Sequence, residues 1–146
     1  MKYEIVKYSH DQHYEILKEW WKAMTWPAPP KRLLPRKGLL AYYEGEPVSA
    51  GFVYCSAVDS SFTVIDWIVV NNKAAARHQI FGLDAVISKL KEHAIESGSD
   101  MILHLNAMPS MIKRFQKKHD FLIGEKRTTT LIFPINKEFN PDFMKD

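Results

Sequence analysis

Hydrophobic and polar positions change their rhythm along the chain in well-separated segments. Residues 2–8 alternate, with Tyr3 and Ile5 on one face and Lys7 in register with them, which predicts a short strand. Ser9 and Asp11 suit the N-cap of a helix running to about Met24, in which Tyr14, Leu17, Trp21 and Met24 recur at spacings of 3, 4 and 3. Residues 26–38 carry four of the eight prolines, which excludes a continuous helix or a central strand. A long ordered loop is expected there, and loops of that length are often functional. Residues 39–43 and 48–57 flank Glu44-Gly45-Glu46-Pro47, a hairpin signal. Asp59-Ser60-Ser61 then turns into residues 62–70, apolar on both faces and therefore a central strand.

The longest helix is predicted over about 79–96, where Ile80, Leu83, Ile87, Leu90 and Ala94 step by 3, 4, 3 and 4 and Gly98 supplies the stop. A strand at 101–105, a helix at 109–119 opened by Pro109, and strands at 121–124 and 128–134 follow. The polar tail 136–146 reads as a surface strap. The order β-α-loop-β-β-β-α-β-α-β-β describes an α/β (α+β) fold: a mixed, mostly antiparallel sheet with helices on both faces.

Composition narrows the function classes. A chain of 146 residues, 46% hydrophobic and 25% charged, suits one domain over 1–146 with a single core and no disulfide or metal staple. The formal charge of +3 permits a nucleic-acid partner without predicting one. A lone cysteine, Cys55, excludes an intrachain disulfide and a cysteine zinc site; in a strand it reads as a small apolar residue. The start lacks the apolar run of a signal peptide, and the longest apolar run, 62–70, contains Asp66 and is far short of the ~20 residues of a membrane span. A cytoplasmic protein without membrane contact is expected. Of the six histidines only His10 and His13 lie close together, with no carboxylate at ligand spacing, so no metal is expected. Nucleophile-elbow, Walker and dinucleotide fingerprints are missing from the sequence.

Two segments carry more. Residues 70–82 read Val-Asn-Asn-Lys-Ala-Ala-Ala-Arg-His-Gln-Ile-Phe-Gly, and residues 115–121 read Phe-Gln-Lys-Lys-His-Asp-Phe. With the order of elements over residues 3–134, they resemble the GNAT superfamily of N-acyltransferases. That family opens a helix with Arg/Gln-x-x-Gly-x-Gly/Ala; Arg77 and Gly82 match its outer positions and Ile80 replaces the first glycine. It ends a later helix with Tyr-x-Lys-x-Gly-Phe; Lys118 and Phe121 match, while Gln116 and Asp120 replace the tyrosine and glycine. Pro109 takes the place of the family's common asparagine, with Asn106 three residues earlier. The chain is most similar to divergent GNAT-like proteins of phage genomes, which would put it in a host cytoplasm.

The resemblance implies an acetyl-CoA-dependent N-acetyltransferase that needs no metal. The pyrophosphate would lie on the helix N-terminus formed by Arg77, His78, Gln79, Ile80, Phe81 and Gly82, where free N–H groups and a partial positive charge attract anions. Ile80 is expected to turn its side chain into the core and leave that end open; the alternative is that it blocks the ligand. Pantetheine would take backbone bonds from Ile68, Val69 and Val70, with Asn106 and Lys118 as further cofactor contacts. Asp66 matches an acidic position used as a base, and a carboxylate within an apolar run is costly unless bonded or functional. The plainer alternative is a strand residue facing a wet cleft or paired with a basic group. Gln116 holds the acid position but does not titrate; it could hydrogen-bond the CoA sulfur, leaving that proton to water, to a tyrosine such as Tyr54, or to nothing. On the acceptor side Trp20 or Trp26 would stack on a flat substrate while Arg32, with Lys31, Arg36 and Lys37, holds phosphate; the alternative is that Trp21 is core and Trp26 pins the loop against the sheet. Lys113, Arg114, Lys117 and Lys118 form a second basic group, either a solvated helix face or a polyanion site. The implied partners are a small-molecule or protein amine, with a homodimer possible. Two rival readings remain: a GNAT-shaped binding module that has lost catalysis, and a nucleotide or nucleic-acid modifier similar to the Mom family.

Overall fold

The computed structural model describes residues 2–55, 61–105, 107–127, 131 and 135. Five strands, β1 (Glu4–Lys7), β2 (Gly38–Tyr43), β3 (Glu46–Cys55), β4 (Phe62–Val70) and β5 (Met101–His104), pair in that order. Neighbours are antiparallel except β4 and β5, which run parallel. A parallel pair needs a crossover, and the helix α2 (Ala76–Glu96) supplies it. The other helices are α1 (His10–Ala23) and α3 (Pro109–His119), with a short 3-10 turn at Lys31–Leu33 in the proline loop. Among the described residues no helix is long and apolar enough to cross a membrane.

Alternation along the strands decides which helix each residue meets. Leu40, Ala50 and Phe52 pack with Leu17, Trp20 and Trp21 of α1 on one side of the sheet. Ala41, Val53 and Ile65 pack on the other with Leu83, Val86, Ile87 and Leu90 of α2 and Phe115 of α3. Each large aliphatic side chain buried this way contributes roughly 1.5–3 kcal/mol. The mixed sheet with helices on both faces is therefore what the periodicities describe.

Two irregularities shift this alternation. Ala41 pairs with Ser49 and Tyr42 with Pro47, so Val48 is an extra residue and joins Ala41 on the α2 side. Ala50 pairs with Val69 and Phe52 with Asp66, so Gly51 faces both Trp67 and Ile68. Trp67 sits at φ 53, a left-handed conformation that is costly for a side chain of this size. This bulge in β4 puts Ile65 and Ile68, three apart, on the α2 side and turns Trp67 toward the α1 side.

Three expected boundaries change. Helix α2 starts at Ala76, three residues before Gln79, because the preceding turn is already built by Asn71: its Oδ1 accepts from Lys73 N at 3.0 Å and its Nδ2 donates to Pro47 O at 3.0 Å. Residues 121–124 form no strand. Asp120, at φ 61, closes α3 instead; Phe121 N donates to Phe115 O at 3.0 Å and the two rings meet edge to face at 5.1 Å. The cap uses Phe121 locally and leaves Leu122 91% exposed. The strand expected at 128–134 and the tail 136–146 lie outside the described residues, apart from Leu131, which is in no regular element.

Gly82 is a packing residue. A Cβ there would lie 2.6 Å from Val48 Cγ2, 2.7 Å from Ser49 Oγ and 3.3 Å from Ala41 Cβ, so the missing side chain is what lets α2 approach β2 and β3. Alanine normally gains about 1 kcal/mol over glycine inside a helix. Here overpacking, at roughly 1–3 kcal/mol, wins. Gly82→Ala is expected to lower the urea midpoint at unchanged slope; a higher midpoint would show that Val48 and Ser49 yield easily.

Candidate active site

The sheet opens where β5 ends. Pairing between β4 and β5 runs from Phe62↔Met101 to Ile65↔His104, whereas β4 continues to Val70. The other edge of that extension is occupied by β3, through Phe52↔Asp66, Ala50↔Val69 and Ser49↔Val70. Along residues 66–70 the β5-side edge therefore has no strand neighbour among the described residues, and backbone groups there lack a sheet partner. Ile68, Val69 and Val70 all lie on this stretch.

Asp66 stands at the apex of the opening. Its Oδ1 accepts from Trp67 N at 2.8 Å, a bond that depends on the bulge. Burial pushes the carboxyl above the usual range; the Trp67 N–H and the charge of His104 offset this only in part. His104 lies across the last rung, with Nδ1 3.0 Å from Ile65 O and its ring stacked on Phe115 at 4.9 Å. Trp67 Nε1 donates to Tyr54 Oη at 2.7 Å, and Tyr54 Oη donates to Leu33 O at 3.0 Å. This relay ties the proline loop to the bulge. Tyr14 Oη donating to Pro29 O at 2.9 Å and the buried Leu34 hold the loop elsewhere.

The far end of the opening meets the start of α2. His78 N and Gln79 N both bond to Ala75 O, so among the described residues the helix amides left to meet an anion are those of Ala76 and Arg77, with Lys73 and Arg77 exposed beside them. The N–H groups of Ile80, Phe81 and Gly82 fall within the helix ladder and are not available, which corrects the expected phosphate site. His78 is also committed: it is buried, stacks on Tyr43 at 3.8 Å and bonds Tyr3 Oη at 2.9 Å. Ile80 is 38% exposed rather than in the core, because the buried stripe passes through His78, Gly82, Val86 and Leu90. Phe81, 44% exposed, lies under the Arg114 guanidinium.

On the acceptor side Trp20 is 6% exposed within the α1 core, so it cannot stack on a substrate. Trp26 is half-buried against the same core, and Arg32 is exposed on the 3-10 turn. Gln116 and Lys118 lie exposed on α3, and Asn106 falls outside the described residues. Arg114 belongs to no solvated cation face: its guanidinium grips Asp84 of α2, and His119 Nε2 lies 2.8 Å from the same carboxylate. Asp84 between Leu83 and Val86 on a buried stripe was the sequence signal for that cluster. His104 and Trp67 had no signal beyond their place in strands. Among the described residues no group of three or more His, Cys, Asp or Glu is placed to hold a metal ion.

No protein-family model matches the sequence, and no curated protein does. Solved structures do match. A ribosomal-protein-alanine N-acetyltransferase from Brucella melitensis superposes with a TM-score of 0.64 at 14% identity, over 91% of this chain and 100% of that one. An aminoglycoside acetyltransferase from an uncultured soil metagenomic sample gives 0.62 at 19%, over 93% and 100%. N-acetylglutamate synthase from Neisseria gonorrhoeae, complexed with coenzyme A and N-acetyl-glutamate, gives 0.58 at 13%, over 81% of this chain and 28% of that one. At these identities the likeness concerns backbone architecture, and function is argued from the site. The likeness is one of architecture, a five-stranded mostly antiparallel sheet with its crossover helix, and the chain has the GNAT fold.

Proposed function

We propose that the chain is an acyl-CoA-dependent N-acetyltransferase that works by direct transfer to an amine. The observation that carries this reading is the open edge of β4, with a carboxylate at its apex and a helix N-terminus at its other end. Four residue steps separate Asp66 from Val70, roughly 13 Å of strand, which suits an extended pantetheine arm. The backbone of Ile68, Val69 and Val70 would bind that arm. The amides of Ala76 and Arg77 and the side chains of Lys73 and Arg77 would meet its phosphates. Bound there, acetyl-CoA supplies an acetyl group activated as a thioester.

The residues of the chain then handle protons and orientation. An aliphatic amine, protonated near neutral pH, must lose a proton before it attacks. Asp66, held by Trp67 N and raised above the usual carboxylate range, is suited to take it. The bulge that aims Asp66 also positions the Trp67–Tyr54–Leu33 relay, and the proline loop beside it, with Trp26 and Arg32, would form the acceptor wall. Gln116 has no titratable group and is left out of the proton path.

Thermal unfolding with acetyl-CoA or free CoA tests the reading. A ligand at about 100 times its dissociation constant stabilises by about 2.7 kcal/mol, a rise of roughly 5–11 °C for a chain of this size. No rise at millimolar cofactor would overturn the proposal. A rise without turnover of any amine would favour a binding module instead.

A further inference from the structure

We infer that His104 is the second proton-handling residue of this site, acting at the sulfur that leaves; the inference rests on the cofactor reading above. A thioester that gives its acetyl group to nitrogen releases a thiolate. Gln116, the α3 residue in register for an acid, carries no titratable proton. Within the described opening the imidazole of His104 is the group built to supply one.

Four observations support this. His104 forms the last rung of the β4–β5 ladder, opposite Ile65 and next to Asp66, where a thioester lying along β4 has its reacting end. Its Nδ1 is 3.0 Å from Ile65 O. A carbonyl only accepts, so Nδ1 carries hydrogen and Nε2 is the atom that gains and loses a proton. The ring plane is fixed by its stack on Phe115, 4.9 Å away at 29°. Nε2 has no hydrogen-bond partner among the described residues, and His104 is half-buried. The charge acting on the ring from β4 is Asp66. From α3 it meets uncharged Phe115, while Arg114 and His119 beyond are engaged by Asp84.

The step balances. Asp66 takes one proton from the ammonium and releases it to solvent. The amine lone pair forms the C–N bond as the C–S electron pair leaves with sulfur. The Nε2 proton passes to sulfur, and the second proton shed by nitrogen restores the imidazolium.

The test compares CoA with desulfo-CoA, which lacks the thiol. The His104 ring signals, followed by NMR, are expected to shift with CoA, whose sulfur would lie against Nε2, and not with desulfo-CoA. His104→Asn keeps an N–H for Ile65 O and removes Nε2. It should erase the preference for CoA over desulfo-CoA by about tenfold while leaving desulfo-CoA affinity unchanged. If both ligands bind and move the ring equally, or leave it unmoved, His104 is only structural and the cofactor reading stands. If neither binds, the cofactor reading falls and this inference with it. The wild-type comparison of the two ligands decides the matter even if the variant does not fold.

Discussion

Asp84→Asn is expected to lower the unfolding midpoint by roughly 6–12 °C, equivalent to about 3 kcal/mol in a chain of this size. Asp84 sits on the buried stripe of α2 and receives Arg114 Nε at 2.9 and 3.1 Å, Arg114 Nη2, and His119 Nε2 at 2.8 Å. Burial opposes its ionisation, but the hydrogen bonds and charges of Arg114 and His119 outweigh this and hold the carboxyl below the usual range. Asparagine keeps the shape, loses the charge and turns one acceptor into a donor facing other donors. His119, itself buried, then has no anion to bond.

The sign of the pH dependence follows from the lowered value. Asp84 stabilises fully above the unfolded carboxylate value, about 3.9, and its contribution is lost as pH falls through the lower folded value. The gap between wild type and variant should be wide at neutral pH and narrow on acidification below about pH 4. Midpoints measured across that range check it. A gap under about 1 kcal/mol at neutral pH would reduce the cluster to an ordinary surface pair. The cluster also matters for the site: with Lys91 Nζ bonded to His119 O at 2.7 Å it ties α3 to α2, and α3 carries the Phe115 ring that His104 stacks on.

What the sequence made legible and what it hid separate along physical lines. Where burial alone sets the pattern, as in the Tyr14–Leu17–Trp21 stripe or the apolar run at 62–70, periodicity found the element and its face. The bulge escaped because nothing local requires it. Trp67 is not a glycine, and its left-handed backbone is imposed by β3 pairing on one side and the relay to Tyr54 on the other. The start of α2 at Ala76 leaves no mark in the hydrophobic pattern because alanines carry no amphipathic signal, although they favour helix. With α2 starting at Ala76, the amides left to meet an anion narrow from the stretch Arg77 to Gly82 to those of Ala76 and Arg77. The same pattern makes Ile80 the first buried position, a place taken by His78, whose stack on Tyr43 joins elements 35 residues apart in sequence. Asp66 was legible for the opposite reason: a carboxylate in an apolar run is a conflict that local preference cannot resolve.

Asp66→Asn is expected to do two opposite things at once. Turnover with an accepted amine should fall by about 10²–10⁴, the usual worth of a positioned general base. Stability at neutral pH should rise. Asparagine keeps the Oδ1 that accepts from Trp67 N at 2.8 Å, so the bulge retains its bond while the buried charge disappears. Because burial raises the folded value, the wild type holds a proton that the unfolded chain has already released. Its stability therefore falls as pH rises from about 4 through the folded value, and the variant is free of that loss. The two midpoints should coincide in acid and separate toward neutral pH, the variant unfolding at the higher temperature. Turnover within about twofold of wild type would remove Asp66 as the base. A variant less stable at every pH would mean that the carboxylate is a satisfied structural group, and the apex of the opening would then hold no residue poised to take the proton from the amine.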